Sequence, residues 1–494
     1  MKLKMKALGL CAVMLCTAVS GCGTKPANTS GQEQVTVSIS FWEPGTENEF
    51  ERAYTDLVAQ YEALHPEVNI EIMSQPYSGY QEWLKTQMAA DTMPTIIYND
   101  GTPINELYRA GMIEPLDEYL EGVNEYADNQ IWKDLFADGK LEKIDNAYQA
   151  IPISGLGLAY YYNKDLYQEL GLSVPKTWDE FLENCKAIQA KDINPIAFMA
   201  QKEDAVNWLQ WLICTGMYGD AFLEDQNINV NNDNRISEQE LVRAIDIGYL
   251  DVSKPGKWQD FYLEQLDVIA EYSKYAENAS GLDEAGAKAQ FLGGKAGHIY
   301  SGSWDVQAFL VNSEAPFEIG AFQFPYFTKE NSEYAGLGMS IPQVSVLAVS
   351  KQKDQRVKDA AVDFLKFITA PDNYKKYVEY TRCIPSIDNL EIDDSYKAFI
   401  GGERQPNLFF ALKGSKSGYT SYDAAIDTLN GLDVKNQETL DKIQKSNMEY
   451  AKERMETLGM SPENNYLDIQ NDDQYGGEYR PSDVIMAEKG IVID

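Results

Sequence analysis

Apolar and polar residues alternate from Val35 to Phe41, with Val35, Val37, Ile39 and Phe41 on one face, and this period of two predicts a half-buried strand. The strand runs into Trp42-Glu43-Pro44-Gly45-Thr46, a turn. The period then changes. Phe50, Ala53, Tyr54, Leu57, Val58, Tyr61 and Leu64 recur three and four residues apart, the apolar stripe of a helix that His65-Pro66 ends. Val68, Ile70 and Ile72 predict a second strand, Tyr80 to Ala90 a second helix, and Thr95 to Tyr98 a third strand ending at Asn99-Asp100. Such alternation of strand and helix predicts an α/β fold with mainly parallel sheets and flanking helices. Ligands of such sheets gather at the carboxyl ends of the strands, where Trp42-Glu43, Tyr77 and Asn99-Asp100 lie.

The first residues follow a different pattern. Lys2, Lys4 and Lys6 precede a thirteen-residue apolar run from Ala7 to Val19, too short for the roughly 20 residues of a membrane-spanning helix. Residues 1–21 therefore read as an export signal peptide. Val19-Ser20-Gly21-Cys22 resembles a bacterial lipobox, which implies cleavage before Cys22 and a diacylglyceryl thioether on its sulfur. Each buried methylene contributes about 0.8 kcal/mol, so two or more palmitate-like chains make a stable anchor. Gly23 to Gln34 holds no large apolar side chain. Residues 22–34 are thus expected to be the cysteine whose lipidation the resemblance implies and a flexible linker, with a root-mean-square span on the order of 20 Å.

What remains, about 460 residues, is too long for one core and implies two or three domains. Hydrophobic content of 44% and charged content of 24% suit a soluble body. Loss of the three signal lysines carries the formal charge from −35 to −38, which argues against nucleic-acid partners. Of six cysteines, Cys11 and Cys16 leave with the signal, and Cys185, Cys214 and Cys383 form no disulfide framework or metal spacing. The only histidines, His65 and His298, read as structural, and no nucleophile elbow, phosphate loop or zinc motif occurs, so no catalysis is expected. A surface glycoside hydrolase is the alternative from another class, because it needs only two carboxylates and 77 acidic residues supply many.

Several stretches, in order, resemble the carbohydrate-type extracellular solute-binding proteins of bacterial ABC importers. They are Phe41-Trp42-Glu43-Pro44, the helix to His65-Pro66-Glu67-Val68-Asn69-Ile70, and Met93-Pro94-Thr95-Ile96-Ile97. Ala150-Ile151-Pro152, Tyr161-Tyr162-Asn163-Lys164-Asp165-Leu166-Tyr167 and Val174-Pro175-Lys176-Thr177-Trp178-Asp179-Glu180-Phe181 follow, the last also a helix capping box of Thr177 with Glu180. Phe291-Leu292-Gly293-Gly294-Lys295-Ala296-Gly297, Ser301-Gly302-Ser303-Trp304 and Ala360-Ala361-Val362-Asp363-Phe364-Leu365-Lys366-Phe367 complete the series. The resemblance implies a two-lobed periplasmic-binding-protein-like fold whose lobes close on ligand by hinge motion. It implies lobe 1 from 35–152 and 297–330, lobe 2 from 153–296 and 331–463, and a polar tail at 464–494. Crossings are expected near Pro152–Leu156, Gly297–Trp304 and Pro325–Gly338, where Gly155, Gly157, Gly302, Gly336 and Gly338 suit backbone that must bend. The implied function is a monomeric, lipid-anchored receptor on the extracytoplasmic face of the cell membrane. It would capture a sugar or oligosaccharide and deliver it to ABC permease subunits.

A sugar offers an apolar C–H face and a rim of hydroxyls, so its site needs aromatic platforms edged by carboxylates and amides. Trp42 and Trp304 are the candidate platforms, with Tyr77 and Trp211 behind them; Trp208 and Trp211 also fit plain helix packing. Glu43, Asn99, Asp100 and Asp305 are the candidate hydroxyl partners, and Arg382 is expected to reach in from the second lobe. The same inventory also suits a peptide or other polar solute.

The stretch Asn229 to Glu240 departs from this pattern. Asn229, Asn231, Asp233, Ser237 and Glu240 stand at positions one, three, five, nine and twelve of a loop resembling a calcium-binding EF-hand, with Arg235 at the backbone-ligand position. Asn234 replaces the usual glycine. Two carboxylates predict weak affinity, and the capping box of Ser237 with Glu240 needs no metal. No cofactor is required; a structural calcium bracing an insertion of the second lobe is the candidate. Tyr466, Tyr475 and Tyr479 punctuate the tail, which is expected either to wrap a lobe or to hang loose.

Overall fold

The computed structural model describes residues 34–43, 48–99, 102–137, 140–141, 143, 147–311, 313–337, 343–388, 390, 394–400, 415, 418–469 and 478–491. Cys22, Asp100, Gly338 and Tyr475 lie outside them. In chain order the first lobe contains β1 (Val35–Glu43), α1 (Glu49–Leu64), β2 (Val68–Pro76), α2 (Tyr77–Ala89), β3 (Ile96–Asn99), α3 (Thr102–Arg109) and α4 (Asp117–Leu120). The hairpin β4 (Val123–Asn124) and β5 (Gln130–Ile131) and strand β6 (Ile151–Leu156) follow. The α1 stripe is buried from Phe50 to Tyr61 as its spacing predicts, whereas Leu64, in the last turn, is 62% exposed.

Crossing over, the chain forms β7 (Leu158–Asn163), α5 (Lys164–Leu170), α6 (Trp178–Gln189), β8 (Asn194–Ala197), α7 (Glu203–Leu223), α8 (Glu238–Asp246), α9 (Lys257–Ser273) and α10 (Glu284–Leu292). Strands β9 (Ala296–Gly302) and β10 (Ile319–Phe322) complete this sheet. β11 (Gln343–Val349), α11 (Gln355–Thr369) and α12 (Pro371–Thr381) then return to the first lobe, and α13 (Ser421–Leu429), α14 (Gln437–Leu458), α15 (Asn465–Asp468) and α16 (Ser482–Lys489) end the chain. The apolar residues of the two lobes form two separate cores, one around Val37, Ile39, Leu57 and Phe364, the other around Tyr160, Trp178, Leu212 and Phe261. Helix α7 is apolar nearly all round and accordingly runs through the second core. No helix among the described residues is long and apolar enough to cross a membrane.

The first sheet has the order β2-β1-β3-β11-β6 and the second β10-β7-β9-β8. β1 pairs parallel with β2 and β3, but β11 pairs antiparallel with both β3 and β6. In the second sheet β8 and β9 are parallel while β7 opposes β9 and β10. The sheets are thus mixed where mainly parallel ones were expected. A strand carrying the chain out of a lobe and one bringing it back must run in opposite directions, and β6 and β11 are such a pair. Strands β1, β2, β3 and β6 therefore end, and β11 begins, at one edge of the first sheet; β8, β9 and β10 end, and β7 begins, at one edge of the second.

The expected lobe boundaries need correction. Residues 297–330 belong to the second lobe, because β9 pairs with β7 from Tyr162–His298 to Leu158–Gly302, leaving no crossing between Gly297 and Trp304. β11 and α12 lie in the first lobe, where α12 packs on α1. The first crossing is at Leu156–Leu158, just past the stretch Pro152–Leu156, which lies within β6, and the second falls between Leu337 and Gln343. The third was not anticipated: it runs from Ile387, in the first core, to Tyr396 and Phe399, in the second.

Gly157 shows why glycine stands at a crossing. Its N–H donates to the Ser303 hydroxyl oxygen at 3.2 Å, its carbonyl accepts from the Ser303 N–H at 2.8 Å, and a Cβ there would overlap the Phe399 carbonyl oxygen. What the site requires is close backbone approach rather than an unusual bend.

The tail wraps the second lobe. Glu478 bridges to Asp233, the Tyr479 N–H donates to the Asn232 carbonyl at 2.9 Å, and Ser482 caps onto Asp220 through its N–H at 3.0 Å and hydroxyl at 2.9 Å.

Candidate functional site

The carboxyl end of β1 delivers Trp42 and Glu43 to the edge where β2 passes into α2 and β3 ends. Trp42 is 5% exposed and is met edge-on by Tyr77, Tyr80 and Tyr98, at centroid distances of 5.7, 5.1 and 4.7 Å. Tyr77, the first residue of α2, is 53% exposed and carries this aromatic cluster to the surface. Glu43 accepts from the N–H groups of Glu51 at 2.6 Å and Phe50 at 3.3 Å, satisfying donors left open at the first turn of α1. Burial pushes its carboxyl above the ordinary range, opposed by those two amides. Asn99 is fully buried at the end of β3, and its neighbour Tyr98 touches Trp42. Trp42, Glu43, Tyr77 and Asn99 are thus brought to one edge of the first sheet.

The matching edge of the second sheet carries Trp304, directly after β9. Its ring lies back over the strand, where any Cβ on Gly302 would overlap it. Trp208, from the first turns of α7, meets Trp304 at 5.6 Å with the planes at 51°. The Lys202 ammonium stands 5.3 and 5.5 Å from these two ring centroids and is held by Glu284 at 2.7 Å. Lys288 bridges Glu284 at 2.8 Å and Asp305 at 2.7 Å, and Asp305 also accepts from the Ser301 hydroxyl at 2.6 Å. Burial pushes the Asp305 carboxyl up while Lys288 pulls it down. Asp305 is thus buried, and each of its oxygens has a partner inside the lobe.

Trp211 lies three residues beyond Trp208 and packs against the second core, with its indole N–H buried and unpaired among the described residues. Arg382 is exposed and caps α12 in the left-handed conformation at φ 51°. It belongs to the first lobe rather than the second, because α12 packs on α1. Trp208 had fitted plain packing, and Lys202, Tyr80 and Tyr98 carried no signal in the spacing; the pairing of Gly302 with Trp304 was the available clue to a ring lying over a strand.

In the loop from Asn229 to Glu240, the Asp233 N–H donates to the side-chain oxygens of Asn229 at 3.1 Å and Asn231 at 3.3 Å, and the Arg235 N–H to Asp233 at 2.8 Å. Glu240 accepts from the N–H groups of Val230 at 2.6 Å and Ser237 at 2.8 Å, and the capping box is present. Asn232, at φ 59°, takes the left-handed position that Asn234 was expected to fill. Burial, and secondarily the nearby Asp233, push the Glu240 carboxyl up to about 7. The donor set is all hard oxygen, which suits calcium. Among the described residues no cluster of three or more His, Cys, Asp or Glu is placed to hold a metal, so a cation here would rest on two carboxylates and asparagine amides.

The family described as bacterial extracellular solute-binding protein matches residues 45–375. The multiple sugar-binding protein of Streptococcus mutans is 23% identical over 380 residues, 76% of this chain and 81% of that one. The galactooligosaccharide-binding protein of Bacillus subtilis is 24% identical over 400 residues, 79% and 83% of the two chains. Among solved structures, a chitin oligosaccharide binding protein superposes with a TM-score of 0.61 at 19% identity, over 85% of this chain and all of its own. RafE in complex with raffinose gives 0.59 at 19% identity, over 84% and 99%. Two lobes, three crossings, aromatic edges on both sheets and the family match over two thirds of the chain lead to one statement: this chain belongs to the bacterial extracellular solute-binding proteins.

Proposed function

We propose that the chain is a sugar or oligosaccharide receptor that closes its two lobes on ligand and delivers it to the permease of an ABC importer. In this reading it is a monomer without catalytic activity, held by a lipid on Cys22 at the extracytoplasmic face of the cell membrane. The observation that carries the reading is the aromatic edge in each lobe, Trp42 with Tyr77 in one and Trp304 with Trp208 in the other. Flat rings suit the C–H faces of a pyranose, and Glu43, bound to α1 amides, and the buried Asn99 stand at the same sheet edge. The relatives are named for multiple sugars and galactooligosaccharides, and the structural neighbours for chitin oligosaccharide and raffinose, which supports the same class.

A glycan array read by direct binding, followed by calorimetry and a reducing-end assay, tests it. Saturable binding without release of reducing ends is expected. Turnover of the glycan, or stabilisation by peptides and no sugar, would overturn it.

We also propose that the loop from Asn229 to Glu240 takes up calcium weakly, as a brace for α8 and the tail that bridges to Asp233. Support comes from the buried carboxylates of Asp233 and Glu240, which repel each other and which a divalent cation would relieve. Ca²⁺ titration of chelator-treated protein tests it; absence of heat and of thermal shift at millimolar calcium ends the idea.

A further inference from the structure

Arg454, on α14 of the second lobe, makes a forked ion pair with Glu238 of α8, its Nε and Nη2 each 2.8 Å from a carboxylate oxygen. The Tyr450 hydroxyl, one turn earlier, donates to the same carboxylate. This fork stays within one lobe. The remaining nitrogen, Nη1, donates at 3.0 Å to Glu106, which stands on α3 of the first lobe. Neither α3 nor α14 is part of a crossing, so the pair joins the lobes through side chains alone. Arg454 is only 20% exposed, whereas Glu106 is 52% exposed: the cation is anchored and the anion is the part free to depart.

We propose that Arg454 is a positioning residue for ligand retention, a clamp that holds Glu106 when the lobes are closed and releases it when they open. Glu238 and Tyr450 fix the guanidinium in advance, so little side-chain freedom is lost when Glu106 docks. Lysine cannot replace it, since a single ammonium lacks the planar fork that serves Glu238 and Glu106 together. The net charge of −35 adds a reason for a cation here, because two acidic lobes repel as they approach. Glu238 is also residue ten of the loop beginning at Asn229, so the clamp is seated on that loop.

The inference rests on the reading of the chain as a closing receptor, and the test separates the two. Glu106→Gln removes the charge across the lobes while leaving the Arg454–Glu238 fork intact. Small-angle scattering of ligand-free protein reads the clamp by itself. A larger radius of gyration is expected for Glu106→Gln, and 0.5 M salt is expected to expand the natural protein but not the variant. Stopped-flow dissociation with raffinose as probe is expected to quicken about threefold to tenfold in Glu106→Gln and Arg454→Lys, with melting temperature unchanged in Glu106→Gln. Equal scattering curves and an unchanged salt response would overturn the clamp. Failure of raffinose to bind the natural protein would count against that sugar while the ligand-free comparison still decides the clamp.

Discussion

The Trp304 ring meets that of Trp208 at 5.6 Å, tilted by 51°, although 96 residues of sequence separate them. Trp304→Ala removes the ring proposed as a sugar platform and leaves Trp208 and Lys202 beside a gap. Sugar affinity is expected to fall about tenfold to a hundredfold, the equivalent of burying one large aromatic, about 1.5–3 kcal/mol. Calorimetry with the best ligand from the glycan array checks it; unchanged affinity would place the sugar elsewhere.

Gly157→Ala drives a Cβ into the Phe399 carbonyl at the point where two crossings touch. Overpacking of this kind costs about 1–3 kcal/mol, and the variant is expected to lose that much in urea unfolding. Gly79→Ala is the control, because a Cβ there meets nothing within 4 Å and alanine favours the helix. Equal stability of the two variants would show that the crossing tolerates side chains.

His298 is buried between the Pro195 carbonyl at 2.8 Å and the Tyr167 hydroxyl at 2.6 Å, and burial pulls its pKa down to about 4. The unfolded chain takes up the proton near 6.5, so stability is full above that value and falls as pH drops from 6.5 through 4. The loss is at most about 3 kcal/mol. His298→Gln is expected to flatten this part of the melting-temperature profile; an unchanged profile would assign the acid sensitivity to other groups.

Glu240 has the opposite sign. Its pKa, raised from 4.5 to about 7, makes the protonated form the one that folding favours, so its contribution is lost as pH rises through that window. In chelator-treated protein Glu240→Gln is expected to remove this loss. Calcium is expected to raise the melting temperature of the natural protein more at pH 7.5 than at pH 5, since its ligand must be ionised. A calcium effect equal at both pH values would count against Glu240 as ligand.

Cys22→Ala is expected to move the protein from the membrane fraction to the medium or periplasm while leaving sugar affinity unchanged. Under the proposed lipid anchoring, the receptor stays near its permease at high effective concentration, so uptake should drop in the variant. A variant still membrane-bound would mean that another segment anchors the chain.

Local pattern by itself determined the elements and their ends. The period-two run to Phe41, the helical stripe from Phe50 to Tyr61 and the capping boxes at Thr177 and Ser237 all depend on neighbours within a few residues, and all occur in the structure. The same holds for the carboxyl-end position of Trp42, Tyr77 and Asn99. Pairing between distant strands was decided only in three dimensions. β9 could serve either sheet by pattern, and the ladder of β9 with β7 settles which lobe it joins. The partners of charged side chains were equally hidden. Glu43 is bound to amides of α1, Asp305 to Lys288, and Arg454 to Glu106 across 348 positions, because a Coulombic contact depends on separation in space, which sequence distance does not encode.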